Sequence, residues 1–453
     1  MSLNSAVCHR AIRDRDPRYD GRFFVAALTT GIFCRPTCRC RTPKREHLRF
    51  LASAAAAEAA GFRPCLRCRP ENAPELGGVV RERVDASPAS EARARRALFA
   101  KKLITDTRMP LAEVARAAGF GSARRLNATF RDRYGYSPRE LRGGARGTEA
   151  GAAGVSLLLP YVPPYDWPSL VAFLRLRAIP GVESVGGDGV YRRTIREGRA
   201  AGALSAAPSP GEDALRVEIR FPEVSALYGF VEKLRSLFDL GADPRAIARD
   251  LSRSAELRPR LRARPGLRVP GAWDGFELGV RAVLGQQITV AGASTLAGRL
   301  VATYGDPLPC AEGTGLTHTF PLPERLVTAD LRGIGVTRAR ARTLTALAAA
   351  ALKAPALFAP ADSLESSVAR LREIPGIGDW TAQYIAMRAL REPDAFPAAD
   401  LGLQHACADP DGRRPRTAEL RARAEAWRPW RAYAALQLWT SLSERRSAGR
   451  AAA

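Results

Sequence analysis

The sequence predicts a multidomain protein, mainly α with α/β parts, and three observations carry that expectation. Two close cysteine pairs, Cys34-x3-Cys38 and Cys65-x2-Cys68, have the spacing of a tetrahedral four-thiolate zinc site. Residues 111–134 read as helix, glycine turn and N-capped second helix, the pattern of a helix-turn-helix bundle. Residues 374–400, IPGIGDWTAQYIAMRALREPDAFPAAD, read as helix end, glycine hairpin, helix, loop and one carboxylate in a mostly helical region. At 453 residues the chain has room for about three domains with real cores.

Lys and Arg number 70 against 46 Asp and Glu, a formal net charge of +24. That excess suits a polyanion, and double-stranded DNA is the expected partner, although an Arg-rich bias spread over solvated helix faces would give the same total. No stretch reaches about eighteen uncharged apolar residues, and charges occupy 1–15 where a signal core would sit, so a cytoplasmic protein without a membrane span is expected. Five of the 8 cysteines fall between Cys34 and Cys68, and such clustering points to metal rather than disulfides.

In chain order, 1–78 is the first expected domain. Asp20-Gly21 and Thr30-Gly31 flank the apolar-rich 23–28, which reads as short strands or a hairpin, and an Ala-rich helix is expected over 48–60 between the cysteine pairs. Four thiolates close the coordination shell, so the zinc is structural on spacing alone. Cys40 is an additional thiol beside the site, an alternative fourth ligand to Cys38 that spacing leaves open, and Cys8 has no assigned role. The polar, Pro/Gly-containing 71–80 reads as linker.

Over 85–143, Leu111, Val114, Ala115 and Ala118 form an inner helix face, Gly119 the turn, and Ser122 the N-cap of a helix that carries Arg124 and Arg125 outward over a core closed by Phe130 and Tyr134. Gly/Ala-rich 144–154 is a flexible linker. The lobe over 155–223 alternates Leu215, Val217, Ile219 and Phe221 with charged neighbours, a half-buried strand. Strands are expected over 191–197 and 215–221, and from 224 to 445 the pattern is helical, with Trp427, Trp430 and Trp439 on closing helices. In the hairpin, Gly376 and Gly378 are both free to take positive φ, so their amides can hold one phosphate where the next helix begins; a tight αα turn would use the same residues.

Three resemblances join these blocks. TTGIFCRPTCRCR (29–41) and AAGFRPCLRCRP (59–70) resemble the amino-terminal domain of Ada-type alkylation-response proteins. That resemblance implies that Cys34 is a sacrificial methyl acceptor for DNA methylphosphotriesters, that Cys38, Cys65 and Cys68 stay as permanent zinc ligands, and that Thr30, Arg41, Arg63 and Arg67 meet phosphate. GFGSARRLNATFRDRYGYSPRELR (119–142) resembles the second helix-turn-helix of AraC-type regulators, a family that carries two units where this chain has room for one.

LLLPYVPPYDWPSLVAFLRLRAIPGVESV (157–185) and the 374–400 stretch resemble the AlkA-type helix-hairpin-helix DNA glycosylases that excise alkylated purines such as 3-methyladenine and 7-methylguanine. The likeness implies Asp400 as the catalytic acid and Phe173, Trp380, Tyr384 and Trp439 as base-pocket aromatics, residues that ordinary core packing would also use. It implies Gln287, in VLGQQIT, where the family has a leucine wedge, and Leu401 where it has a tyrosine. Trp380 stands where lyase-type relatives carry a lysine, so a monofunctional hydrolase is expected; with Cys407 alone after Asp400, no iron–sulfur cluster is. The expected protein is a cytoplasmic monomer with Zn²⁺ that acts on double-stranded DNA. The alternative is a methylation-sensing regulator whose glycosylase domain only binds DNA.

Overall fold

Phe24 and Ala26 alternate with half-buried Val25 and Ala27, and the strand Phe24–Ala27 pairs antiparallel with Ile32–Cys34 across a turn whose Gly31 takes φ +65°. Leu48–Leu51 adds antiparallel on one side and Arg63–Pro64 parallel on the other, giving the order 48–51, 24–27, 32–34, 63–64. The helix expected over 48–60 is therefore confined to Ala54–Ala59, where the Ser53 Oγ caps the Ala56 amide. Its first half is a strand because Phe50 and Leu51 bury against Phe23 and Phe24 in the sheet. The structure, a computed structural model, describes the chain apart from residues 1, 4, 17–18, 39, 41–42, 71–72, 74–78, 81–87, 144–153, 309–313, 360, 362, 410 and 452–453. Most of the linkers expected over 71–80 and 144–154 lies outside the described residues.

The described chain forms two compact units: residues 1–162, 208–232 and 240–242, and residues 163–207, 233–239 and 243–453. In the first, Phe24, Phe33, Leu51 and Phe62 share a core with Ala94 and Leu98 of the helix Pro88–Asp106. Cys8 is buried in a second cluster with Ala11, Ile12, Phe23 and Phe50. Helices Leu111–Ala117, Ala123–Tyr134 and Pro138–Gly143 complete the bundle. Gly119, φ +72°, makes the turn, the Ser122 Oγ accepts the Arg125 amide, and Phe130 and Tyr134 meet edge to face in the core. Strands Val155–Pro160 and Ala214–Arg220 pair antiparallel, with Leu157 opposite Val217 and Leu159 opposite Leu215.

In the second unit the helix Trp167–Arg177, capped by Asp166, precedes antiparallel strands Glu183–Val185, Tyr191–Glu197 and Ala200–Pro208. The last of these was not legible in AAGALSAAP, whose small residues have weak strand preference; reversal at Gly198, φ +57°, and pairing to 191–197 make it. Helices then dominate: Gly275–Leu284, Val290–Tyr304, Arg338–Lys353, Leu364–Arg372, Asp379–Arg388, Leu401–Ala406 and Arg431–Ala451. Trp427 lies on the 3₁₀ turn Glu425–Trp427 and Trp430 just ahead of the last helix, so of the three closing tryptophans Trp439 alone sits on an α-helix. Sheet and helices are tied by buried ion pairs, Arg193 to Glu277 at 2.7 Å and Arg281 to Glu183 at 2.7 Å. Burial works against ionisation of Glu183, yet the guanidiniums of Arg281 and Arg193 hold its carboxyl well below the usual range. Among the described residues no helix is long and apolar enough to cross a membrane.

Candidate active site and metal centre

The hairpin is built by sterics. Gly376 takes φ +87°, and a Cβ there would overlap Thr343 Oγ1 and come within 3.0 Å of its Cβ and Cγ2, so glycine is required on both counts. Gly378 does not share the positive φ expected of it. At φ −86°, ψ 179° it is extended, the backbone an N-cap needs, and it opens the helix Asp379–Arg388. The hairpin is thus one left-handed glycine followed by a helix N-terminus. Gln286 fastens it, with Nε2 donating to Gly376 O at 3.1 Å and Thr381 Oγ1 at 3.1 Å, while Arg340 donates to Gln286 O at 2.5 Å. Gln286 was missed by sequence reasoning, which singled out its neighbour. That neighbour, Gln287, is exposed and left-handed, φ +56°, a conformation a non-glycine residue adopts at a cost of about 1–3 kcal/mol.

Asp400 is the N-cap of Leu401–Ala406 and is half-buried. Its Oδ1 accepts from the Leu403 amide at 2.9 Å and from Trp439 Nε1 at 2.8 Å; its Oδ2 accepts from Trp380 Nε1 at 2.9 Å. Three donors on one carboxylate fix its orientation with charge-assisted bonds. Gly402 leaves the space for this, since a Cβ there would lie 2.9 Å from Asp400 Oδ1 and 3.3 Å from Trp439 Cδ1. Trp380 and Tyr384, one helical turn apart, stack at 5.4 Å and 7°, and Trp439 meets Tyr384 edge-on at 6.4 Å.

Phe173 stands differently from the other three aromatics. Its ring carries the Arg177 guanidinium 3.7 Å from the centroid, and Arg388 lies 5.0 Å from Phe173 and 5.5 Å from Tyr384. Arg388 Nη1 also bonds the Tyr384 hydroxyl at 2.7 Å. Burial pushes the Tyr384 phenol up, but Arg388 and Arg177 outweigh it and the net shift is downward. Both arginines were readable in principle, each lying four residues beyond its aromatic on one helix.

In the first unit, parallel pairing of Ile32–Cys34 with Arg63–Pro64 and the bond from the Cys65 amide to Phe33 O bring the two cysteine pairs together. The sulfurs of Cys34, Cys38, Cys65 and Cys68 all lie within 4.8 Å of one another, compatible with the ~3.8 Å edges of a zinc–thiolate tetrahedron with ~2.3 Å bonds. The Arg35 amide donates to Cys68 Sγ at 3.4 Å, and the Arg35 side chain grips Asp20. The donor set and its spacing fit Zn²⁺.

The expected phosphate contacts divide. Thr30 is exposed and lines the same cavity as Cys34, and Arg67 is exposed. Arg63 donates through Nη1 to Tyr134 O at 3.2 Å, at the end of the helix that presents exposed Arg124 and Arg125. Arg41 lies outside the described residues. Sequence reasoning also missed Glu58, buried at 3% exposure and receiving the Tyr134 hydroxyl at 2.5 Å. Burial pushes Glu58 up to about 7, with Tyr134 and Arg133 pulling it back in part.

Family models match four successive stretches: "Metal binding domain of Ada" over 7–71, "Helix-turn-helix domain" over 73–144, "AlkA N-terminal domain" over 156–274 and "HhH-GPD superfamily base excision DNA repair protein" over 280–432. The probable bifunctional transcriptional activator/DNA repair enzyme AlkA of Mycobacterium tuberculosis (strain ATCC 25618 / H37Rv) is 39% identical over 480 residues, covering 96% of either chain. The chain belongs to the bifunctional AlkA family. Within that family's plan, part of the chain has further relatives. DNA-3-methyladenine glycosylase 2 of Escherichia coli (strain K12) is 36% identical and covers 62% of this AlkA-family chain and 95% of its own. The 3-methyladenine DNA-glycosylase from Archaeoglobus fulgidus superposes with a TM-score of 0.56 at 26% identity, covering 63% of this chain and 98% of its own. The order zinc domain, helix-turn-helix, AlkA lobe and helix-hairpin-helix is the order expected from the sequence, and DNA is the partner.

Proposed function

We propose that this chain repairs alkylated double-stranded DNA by two separate chemistries. In the second unit it hydrolyses the N-glycosidic bond of alkylated purines of the 3-methyladenine and 7-methylguanine type. The observation that carries this reading is the Asp400 carboxylate held by Trp380, Trp439 and Leu403. A fixed anion stabilises the cationic sugar that forms as the base departs, and it orients the water whose oxygen bonds to C1′ while the base leaves with the bonding electron pair. A flipped, positively charged base gains about 1–2 kcal/mol per aromatic face. Trp380, Tyr384 and Trp439 are the candidate faces, whereas Phe173 already carries Arg177. The Gly376 and Gly378 amides take a phosphate, and exposed Gln287 fills the vacated stack by hydrogen bonding to the orphaned base.

In the first unit Cys34 takes the methyl of a backbone methylphosphotriester. The C–O bond breaks, an S–CH₃ bond forms, and a phosphodiester anion leaves, once per chain. Zinc on Cys34, Cys38, Cys65 and Cys68 keeps the acceptor as thiolate at neutral pH. Thr30, Arg41 and Arg67 are the candidate phosphate contacts there, and Arg124 and Arg125 those of the helix-turn-helix. Action as a monomer, and in the cytoplasm, belongs to the same proposal and is checked by sedimentation and fractionation.

With Trp380 at the lyase lysine's place, a duplex holding one 7-methylguanine should yield free base and an abasic strand that breaks only after alkali. A strand nicked without alkali contradicts the hydrolytic reading. For the acceptor, intact mass after exposure to methylphosphotriester DNA should rise by one methyl in wild type and stay fixed in Cys34→Ala; an unchanged wild type removes that role.

A further inference from the structure

The metal centre holds one thiol more than a tetrahedron uses. Cys40 Sγ lies 3.7 Å from Cys34 Sγ, which is the ~3.8 Å edge that two sulfurs on one zinc would share. It is half-exposed and lines the same cavity as Thr30, Cys34, Cys38 and Cys65. The four mutually close sulfurs already account for the coordination positions. Cys40 is thus placed beside the acceptor without a position of its own.

Reaction at Cys34 changes that. A methyl group turns an anionic ligand into a neutral thioether, and at a dication an anion within reach displaces a neutral donor. We propose that Cys40 is a reserve ligand: once Cys34 carries a methyl, the Cys40 thiolate takes its place on zinc. The inference rests on the reading of Cys34 as the acceptor. In the exchange the Zn–S bond to Cys34 breaks, a Zn–S bond to Cys40 forms, and the Cys40 thiol proton passes to solvent.

The consequence is electrostatic. A zinc with four thiolates carries a net charge of −2; methylation alone would leave −1, and recruitment of Cys40 restores −2. Loss of one negative charge beside a phosphate would tighten DNA binding on the order of tenfold. Cys40 erases that gain, so methylation of this chain ends an acceptor's life without strengthening its hold on DNA.

The test uses the full chain loaded with Co²⁺, whose thiolate charge-transfer absorption counts the bound thiolates, reacted with a duplex that carries one methylphosphotriester. Peptide mass locates the methyl. Wild type methylated at Cys34 should keep its full band and change its affinity for unmodified duplex by less than about twofold, whereas methylated Cys40→Ser should lose about a quarter of the band and bind on the order of tenfold tighter. Wild type that is methylated at Cys34 and loses the same quarter overturns the exchange while leaving the acceptor reading intact. Wild type that takes no methyl overturns both. A Cys40→Ser chain that cannot load cobalt before methylation makes Cys40 a resident ligand and also overturns the reserve role, and the wild-type band decides the matter without the variant.

Discussion

Gly376→Ala tests the hairpin at the point where the structure leaves no latitude. The substitution forces a side chain to φ +87°, which costs about 1–2 kcal/mol, and drives a methyl into Thr343 Oγ1, an overlap worth about 1–3 kcal/mol. The sum is about 2–5 kcal/mol against the turn whose carbonyl Gln286 holds. Urea denaturation should show that loss, and, on the proposed phosphate contact, fluorescence anisotropy with a duplex containing an abasic-site analogue should show affinity reduced about tenfold, the loss of about 1.4 kcal/mol as the strained turn carries the 376 amide out of place. The two penalties separate in a second variant. Thr343→Ala in the Gly376→Ala background removes the Oγ1 and Cγ2 overlap and should restore about 1–3 kcal/mol, leaving the backbone term. Gly376→Ala that folds and binds like wild type, or a double variant no better than the single one, would refute the reasoning.

Three further outcomes follow from the same geometry. Trp380→Phe should slow single-turnover base release more than Trp439→Phe, because Oδ1 keeps the Leu403 amide whereas Oδ2 loses its donor among the described residues; at about 1.5–3 kcal/mol per charge-assisted bond the range is roughly ten- to hundredfold. Glu58, raised by burial to about 7 in the folded chain against an ordinary 4.5 unfolded, holds its extra proton only when folded, so stability should fall as pH rises from about 4.5 to 7, by on the order of 3 kcal/mol. Denaturation curves of wild type and Glu58→Gln across that window should diverge accordingly, and parallel curves would count against it. Stripping zinc with a chelator should abolish methyl uptake and loosen the first unit's sheet, read by near-ultraviolet dichroism, while base release persists, since the second unit buries apolar residues of its own.

The cysteine quartet was legible because it rests on local spacing, and the block order because each block carries its own motif, whereas Asp400 was singled out only through the AlkA resemblance. Helix-turn-helix and hairpin were legible because Ser122, Gly119 and Gly376 are local demands on the backbone. Long-range contacts were not. Nothing in the spacing of Trp380, Asp400 and Trp439 announces that two indoles share one carboxylate, since 20 and 39 residues separate the partners. Gly378 was misread because a glycine freed for positive φ can equally serve as an extended N-cap. Strand Leu48–Leu51 and strand Ala200–Pro208 exist through pairing rather than preference, which is why an Ala-rich helix absorbed one and a small-residue run hid the other. Arg63 and Phe173, expected to face ligand, are engaged by Tyr134 O and by Arg177.

The central claim is that the indole-held carboxylate of Asp400 drives excision. It is tested most directly by base release from a duplex containing 3-methyladenine or 7-methylguanine, measured under single-turnover conditions for wild type and Asp400→Asn. Asparagine keeps the shape and removes the charge; an anion about 4 Å from the cationic sugar is worth about 4 kcal/mol at an effective dielectric near 20, so the rate should fall about a thousandfold. Release by Asp400→Asn at the wild-type rate, or none by wild type, would contradict the account.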